Sequence, residues 1–312
     1  MKKISILTPT YNEKDNIELL HKSIKEIFSK LNYDYEHIVI DNNSSDGTIQ
    51  LLRDICKTDK KFKVIINNKN YGHLASPFYG MMQANGDAVI IINSDFQDPI
   101  DLIPQLLEIW EKGHKVILNQ KIASEEGFIM NKLRRFYYKL LSSTASIKLP
   151  ENTTGSGLYD KKVVNLLKTI KDPIPYLRGL VAELEGDIQF LKFNQPKRKS
   201  GKSKNNFYTL LDLALLGFVK HSKLPLRIMI IFGFFLSFLS ILVSITFFIY
   251  KILFWNNFDL GVAPIIIGLF FISAVQMILI GFLGEYVSVT LSHVRNIPLV
   301  IEKERINFNN NE

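Results

Sequence analysis

The chain has 312 residues, a formal net charge of +8 at pH 7 and one cysteine, Cys56. A single cysteine excludes an intramolecular disulfide and a metal site built from several thiolates, and it is typical of a reducing compartment. A net positive charge suits an anionic partner, either nucleic acid or an anionic membrane surface. Much of the basic excess lies at residues 197–204 and 220–227, directly before a long apolar stretch. That position favours membrane lipids and argues against nucleic acid.

Two parts of the chain differ in composition. Residues 1–223 mix charged, polar and apolar side chains as a domain in water does, whereas residues 224–284 carry very few charges. The mean hydropathy of +0.09 therefore averages two environments. The first apolar stretch is interrupted by Pro9 and is too short for a signal peptide, so we expect residues 1–223 to form a cytoplasmic domain.

Short apolar runs alternate with helical patterns through the first 118 residues. The runs predict strands at residues 4–8, 37–40, 63–66, 88–92 and 115–118, and a helix capped by Asn12 or Asp15 follows the first of them. This alternation predicts an α/β domain with a mainly parallel sheet, whose ligands bind beyond the carboxyl ends of the strands. Two Asp-rich turns, residues 41–47 and 93–99, follow strands at such ends.

Two uncharged runs, residues 228–250 and 260–284, are each long enough to cross a bilayer. Basic residues flank the pair on both outer sides, so the positive-inside rule predicts a two-helix transmembrane hairpin with both termini in the cytoplasm. The chain then divides into a domain at 1–223, the two spans within 224–285 and a cytoplasmic tail at 286–312. Small residues suit helix contacts in a homo-oligomer, namely Gly268, Ser273 and Ala274.

Two further stretches are amphipathic, at residues 120–148 and 205–219. Their basic and apolar side chains predict juxtamembrane helices that lie near the membrane surface. For the first stretch, a helix that covers the sheet fits the pattern equally well.

Polar side chains follow the first two predicted strands. In the first motif, TPTYNE, Pro9 shapes the loop, Tyr11 is able to border a base, and Glu13 is able to accept hydrogen bonds from a ribose or base. In the second, DNNSSDGT, Asp41 is placed to accept from a base N–H or a ribose hydroxyl. Taken alone, each motif also fits an ordinary polar turn.

The third motif, NSDFQDP, follows the aliphatic run at residues 88–92. Asp95 and Gln97 lie two residues apart, and their oxygen atoms suit a hard divalent cation. Such a cation offsets the charge that a departing nucleotide diphosphate gains. A structural turn fits the same letters, and the position after a buried strand favours the metal.

The order of TPTYNE, DNNSSDGT, ANGDAVIIINSDFQDP, RKSGKSK and the paired apolar runs resembles the polyprenyl-phosphate glycosyltransferases of family 2. The resemblance extends over nearly the whole chain. It implies a GT-A (Rossmann-like) fold, a nucleotide diphosphate sugar as donor and a polyprenyl phosphate as acceptor. It also implies residue roles: Pro9, Tyr11, Glu13 and Asp41 bind the nucleotide, Asn93, Asp95 and Gln97 bind Mg²⁺ or Mn²⁺, and Asp95 is catalytic.

The resemblance further implies that Arg198, Ser203 and Lys204 of RKSGKSK lie near the acceptor phosphate. A basic loop just before a membrane span is a suitable place to hold an anionic headgroup, and arginine binds phosphate through two hydrogen bonds. A solvated charge run that is attracted to anionic lipids is the alternative interpretation.

Three positions and one stretch, residues 120–128, depart from the family pattern. Asn42 and Asn93 stand where the family usually has Asp, so the nucleotide and metal sites carry less negative charge and metal affinity is expected to be lower. Ser156 stands where an acidic residue is usual. The stretch after the fifth predicted strand lacks the expected arginines and offers Lys121 in their place.

The sequence thus predicts a membrane-bound hexosyl-type glycosyltransferase that acts by direct displacement at the cytoplasmic face. A phosphate acceptor is already anionic near neutral pH, so the reaction needs alignment and charge stabilisation rather than a strong base. One alternative is transfer to a lipid-linked hydroxyl, which requires a base such as Glu183, Glu185 or Asp187. Another is a membrane partner that binds nucleotide sugar or lipid phosphate without turnover.

Overall fold

The computed structural model describes residues 1–122, 150, 152–196, 224–254, 262–295 and 297–308. The strands of these segments are β1 (Lys3–Thr10), β2 (Asp34–Asp41), β3 (Phe62–Asn67), β4 (Ala88–Ile91), β5 (Val116–Lys121), β6 (Thr153–Asp160), β7 (Ile188–Phe193) and β8 (Glu302–Ile306). Their helices are α1 (Lys14–Ser29), α2 (Thr48–Thr58), α3 (Gly72–Met82), α4 (Leu102–Glu111), α5 (Lys161–Thr169), α6 (Leu177–Leu184), α7 (Leu224–Leu253) and α8 (Val262–Val294).

One sheet contains all eight described strands, in the order β7-β5-β6-β4-β1-β2-β3-β8. β3, β2, β1 and β4 are parallel neighbours, whereas β6 and β8 are antiparallel to the strands beside them. The predicted α/β class is therefore confirmed, and the sheet is mixed rather than purely parallel. The five predicted strands coincide with β1 to β5.

Helices cover both faces of the sheet, because alternate residues of each central strand point to opposite sides. Ile4, Ile6 and Ile90 belong to a core cluster with residues of α1, α2 and α4. Leu7 and Ile91 belong to a second cluster with residues of α3, α5 and α6. Both faces of the central strands are buried, which explains why the stretch at residues 88–92 is purely aliphatic.

β6 inserts between β4 and β5, and it was not predicted from the sequence. Gly157 permits the insertion, because a Cβ atom there would clash with the carbonyl oxygen of Ile117 on β5. The backbone of Gly157 has a φ of 142°, a conformation that side-chain-bearing residues rarely adopt. This insertion brings Ser156 beside the carboxyl end of β4.

The last strand, β8, returns from beyond α8 and pairs with β3 at the edge of the sheet. The Arg53 guanidinium on α2 binds the Glu304 carboxylate at 2.6 Å. The Asn307 amide donates to the carbonyl oxygens of Cys56, Asp59 and Phe62. The stretch treated above as a tail therefore contains a strand of this sheet, and its charged sequence gave no apolar pattern by which to predict it.

α7 and α8 contact each other and expose large apolar side chains along their lengths, for example Phe234 and Met277. Among the described residues, one segment, Phe271–Val294, is long and apolar enough to cross a membrane by length and composition. The described part of the chain therefore supports one of the two predicted spans by this criterion. The predicted amphipathic helices at 120–148 and 205–219 lie almost wholly outside the described residues.

Candidate active site

The carboxyl ends of β4, β1 and β2 lie side by side, because these three strands are parallel neighbours. Thr10, at the end of β1, is paired with Asp41, at the end of β2. The Ser94 hydroxyl donates to the Pro9 carbonyl oxygen over 3.2 Å, which joins the turn after β4 to β1. The two Asp-rich turns therefore both lie at the carboxyl ends of these central strands, as predicted.

Asp41 is fully buried, with an exposed fraction of 0%. Its two carboxylate oxygens accept hydrogen bonds from the Ser44 backbone N–H at 2.8 Å and from the Ser44 hydroxyl at 2.5 Å. Burial raises the pKa of the Asp41 carboxyl, and these neutral donors offset that effect only in part. The carboxylate is thus held in place without a compensating cation among these hydrogen-bond partners.

The segment after β1 is hydrogen-bonded to the turn after β2. Asn12 has a φ of 56°, its backbone N–H donates to Ser44 Oγ, and its side-chain oxygen accepts from the Ser45 N–H. The prediction that Asn12 or Asp15 caps the first helix is wrong, since α1 begins after Glu13 and has no side-chain cap hydrogen bond. The Asn12 oxygen is used by the neighbouring turn instead.

The predicted nucleotide-binding residues Pro9, Tyr11 and Glu13 lie on this same hydrogen-bonded segment. Glu13 donates its backbone N–H to the Thr48 hydroxyl at 3.1 Å, and its carboxylate accepts from the Asn16 amide at 2.6 Å. Pro9 and Tyr11 are half-buried on the same stretch of chain. The structure therefore brings Pro9, Tyr11 and Glu13 to the edge that carries Asp41.

Asn42 connects the end of β2 to the loop before α3. Its amide nitrogen donates to the Asn70 side-chain oxygen at 2.9 Å and to the Gly72 carbonyl at 3.1 Å. Its amide oxygen accepts from the Asn67 side chain and from the Tyr71 backbone N–H. An aspartate has no N–H to donate, so the departure from Asp at this position has a structural reason.

The turn after β4 is organised around Asp98, which sequence reasoning did not single out. Its carboxylate accepts from the Asn93 amide nitrogen at 2.7 Å and from the Ser156 hydroxyl at 2.9 Å. Asp98 has an exposed fraction of 2%. Burial raises its pKa, and the charge of Asp95 raises it further. The signal available in the sequence was its place in the same motif, directly before Pro99.

The predicted metal-binding residues Asn93, Asp95 and Gln97 lie on this one turn. The Asp95 carboxylate accepts from the Gln97 backbone N–H at 3.1 Å, and Phe96 between them has a φ of 58°. No group of three or more His, Cys, Asp or Glu side chains forms a metal site within the described ranges. The donors that are present are hard oxygens, which fit Mg²⁺ or Mn²⁺ better than a soft metal.

Lys121 stands at the end of β5, and its positive charge lowers the pKa of Asp98. The predicted substitute for the missing arginines therefore does reach the electrostatic environment of this site. Arg198, Ser203 and Lys204, the predicted acceptor-phosphate residues, lie outside the described residues.

Two of the alternative bases lie at the opposite edge of the sheet from Asp95. Asp187 is 2.8 Å from His114 and Glu185 is 3.2 Å from Lys115, at the amino ends of β5 and β7. Because β5 runs in the same direction as β4, this edge is remote from the carboxyl end that carries Asp95. The structure therefore does not bring Glu185 and Asp187 to the site.

The fold defines the chain as an α/β protein with a mixed sheet, a class in which ligands usually bind beyond the carboxyl ends of the parallel strands. The chain belongs to glycosyl transferase family 2, since the sequence model of that family matches residues 5–167, about half of its length. It is accordingly an enzyme, a glycosyltransferase.

Relatives match this chain over nearly its full length. It is 30% identical to the SfII prophage-derived bactoprenol glucosyl transferase of Shigella flexneri, over 97% of this chain and 98% of that protein. It is also 30% identical to an uncharacterized glycosyltransferase of Synechocystis sp., over 96% and 94% of the two chains. A putative glycosyltransferase of Bacillus subtilis has the same identity, with 96% and 91% covered.

Solved structures are more distant. Glucosyl-3-phosphoglycerate synthase from Mycobacterium tuberculosis, in complex with uridine diphosphate, is 18% identical with a TM-score of 0.47. The match covers 70% of this chain and 78% of that one. At this TM-score the likeness carries no argument about ligands.

Proposed function

We propose that this enzyme transfers a sugar from a nucleotide diphosphate sugar to a polyprenyl phosphate at the cytoplasmic face of a membrane. The observation that carries the proposal is the nearly full-length likeness to a protein named as a bactoprenol glucosyl transferase. Bactoprenol is a polyprenol, so the acceptor class follows from that name. In this proposal the α/β domain is a GT-A fold.

The donor nucleotide binds at the carboxyl ends of β1 and β2. Asp41 accepts a hydrogen bond from the base or the ribose, and Pro9, Tyr11 and Glu13 border the same pocket. Support comes from the burial of Asp41 without a cationic hydrogen-bond partner, because a buried carboxylate gains most from a ligand that donates to it.

Asp95 and Gln97 hold the divalent cation, with Asn93 beside them on the turn. A bound Mg²⁺ or Mn²⁺ would neutralise charge on the departing diphosphate. Asp95 is the catalytic residue in this scheme, since its carboxylate is the charged group among the three proposed cation ligands. No strong base is required, because the acceptor phosphate is anionic and attacks the anomeric carbon directly, which inverts its configuration.

The acceptor is bound where the domain meets the membrane. Arg198, Ser203 and Lys204 hold its phosphate, and α7 and α8 form the two-helix membrane hairpin predicted from the sequence. Support comes from the exposed apolar side chains on both helices, which water would not favour. Contacts between hairpins, through small residues such as Gly268, would allow a homo-oligomer.

Purified full-length protein tests the proposal when it is incubated with radiolabelled nucleotide sugars, Mg²⁺ or Mn²⁺, and either a polyprenyl phosphate or a diacylglycerol lipid. We expect label in the lipid phase with the phosphate acceptor only. Label with the hydroxyl acceptor alone would contradict the proposal in favour of the alternative transferase. Absence of label with every donor and acceptor, alongside measurable nucleotide binding, would overturn the proposed turnover.

A further inference from the structure

Asn93 and Ser156, which stand where the family usually has acidic residues, both donate a hydrogen bond to Asp98. Each oxygen of the buried Asp98 carboxylate accepts one hydrogen bond, from Asn93 Nδ2 at 2.7 Å and from Ser156 Oγ at 2.9 Å. The Asn119 amide lies 3.4 Å from the same Ser156 hydroxyl. Asn93 and Asp98 lie on the turn itself, whereas Ser156 and Asn119 lie on β6 and β5.

An acidic residue at position 93 or 156 would replace this hydrogen bond with repulsion between two like charges. A carboxylate has no hydrogen to donate, so an aspartate at position 93 would set its half-buried carboxylate about 3 Å from the buried carboxylate of Asp98, where like charges disfavour each other. Asp98 is 2% exposed and each of its carboxylate oxygens already accepts a hydrogen bond, so a second negative charge beside it would be poorly solvated. The amide and the hydroxyl are thus matched to Asp98.

We infer that Asn93 and Ser156 are positioning residues that act through Asp98: the hydrogen bond from Asn93 closes the turn bearing Asp95 and Gln97, and the hydrogen bond from Ser156 anchors that turn to β6. Asn93 donates through its nitrogen and keeps its carbonyl oxygen for a cation, a combination that aspartate cannot provide. This inference rests on the proposed function, in which Asp95 and Gln97 act at the reacting diphosphate.

The inference opposes a simple expectation from the family pattern. If these departures only weakened the site, Asn93→Asp would restore charge and strengthen cation binding. If Asn93 is a matched donor, Asn93→Asp weakens cation binding and lowers the Tm, because the carboxylates at positions 93 and 98 repel each other and the turn opens. Losing a hydrogen bond to a charged group corresponds to about tenfold or more in an equilibrium constant.

The decisive experiment exchanges the two side chains. In full-length protein in detergent, Tm is measured without metal and with MnCl2 for the wild type, Asn93→Asp, Asp98→Asn and the double variant. We expect Asn93→Asp to raise the MnCl2 concentration at the midpoint of the Tm response about tenfold or more, which means weaker binding. The double variant should recover most of the loss, because the amide at position 98 would then donate to the carboxylate at position 93. Ser156→Asp is expected to behave like Asn93→Asp, and Asp98→Asn is expected to rescue it too.

Tighter Mn²⁺ binding by Asn93→Asp, or a double variant no better than that single variant, would overturn the inference. The Mn²⁺ midpoint separates a positioning role from a structural one: a double variant that regains the metal-free Tm without regaining the Mn²⁺ midpoint would overturn the positioning role. A wild type whose Tm does not respond to MnCl2 would count against the proposed cation, and the metal-free Tm values would still decide the pairing. Sugar transfer is measured separately, so failure of the proposed reaction remains distinguishable.

Discussion

The two ends of the central strands treat buried carboxylates in opposite ways. At the amino end, Glu36 contacts Lys3 Nζ at 2.7 Å and Lys63 Nζ at 3.0 Å, and it also accepts from the Ser5 hydroxyl. Burial opposes ionisation of Glu36, but the hydrogen bonds from Lys3, Ser5 and the Asn85 backbone N–H, with the charge of Lys3, outweigh burial and lower its pKa. At the carboxyl end, Asp41 and Asp98 accept hydrogen bonds from neutral groups, and burial raises the pKa of both.

In the proposed function, this difference separates a structural cluster at the amino end from a ligand-binding cluster at the carboxyl end. At the amino end the protein supplies the countercharge itself, so that end needs no ligand. At the carboxyl end the hydrogen-bond donors to Asp41 and Asp98 are neutral, and groups with perturbed pKa values concentrate at functional sites. The proposed cation and the donor N–H groups of a nucleotide are the ligands that would satisfy these carboxylates.

The largest expected effect is on turnover. Asp95→Asn should reduce sugar transfer at least about a hundredfold, because removing a charged cation ligand removes charge stabilisation from the departing diphosphate. Label in the lipid phase measures transfer, and the Tm should change little. Asp101→Asn is the matched control, since Asp101 is exposed and makes no side-chain cap hydrogen bond. Full activity in Asp95→Asn would reject its catalytic role.

At the amino end, removal of one carboxylate should damage stability and leave the chemistry intact. Glu36→Gln leaves the amines of Lys3 and Lys63 without their countercharge, and breaking a buried ion pair costs about 3 kcal/mol. Thermal or chemical unfolding measures the loss. Glu26→Gln breaks an exposed helix pair with Lys30 and should leave the Tm unchanged. Equal Tm values for the two variants would remove the contrast between the ends.

Asp41→Asn should show the reverse behaviour, with weaker nucleotide binding and no loss of stability. Because folding raises the pKa of Asp41, its carboxyl contributes stability below its unfolded pKa, and this contribution is lost as the pH rises through the folded value. At neutral pH the neutral amide should therefore be tolerated or be slightly stabilising. Titration with nucleoside diphosphates should show an affinity about tenfold lower. Unaltered affinity would argue against Asp41 as a donor-site residue.

The smallest expected effect is a pH dependence of stability, which comes from two buried histidines that lie between the two ends of the strands. His37 is fully buried, 3.1 Å from His21 and 3.0 Å from the Thr8 hydroxyl, and burial lowers the pKa of both histidines below the usual 6.5. In the window below pH 6.5 the unfolded chain binds more protons than the folded chain, so stability falls as the pH falls. We expect the Tm to decline between about pH 7.5 and about pH 5.5.

His37→Asn should flatten this decline, whatever its effect on the Tm at neutral pH. The comparison variant His114→Asn changes a partly exposed histidine that contacts Asp187 at the amino end of the strands, and the difference between the two slopes isolates the contribution of the buried pair. An unchanged slope in His37→Asn would assign the pH dependence to other groups.

The sequence alone determined the class of fold, the first five strands and the location of the two Asp-rich turns at strand ends. These features are local, because apolar runs and turn residues report on burial within a few positions. The tertiary structure alone decided the partners of the polar side chains. Ser156 reaches Asp98 across 58 residues because β6 inserts between β4 and β5, and β8 closes the sheet from beyond α8. Such contacts depend on strand order, which no local pattern records, so Asp98 and the matched donors around it became visible only in the folded chain.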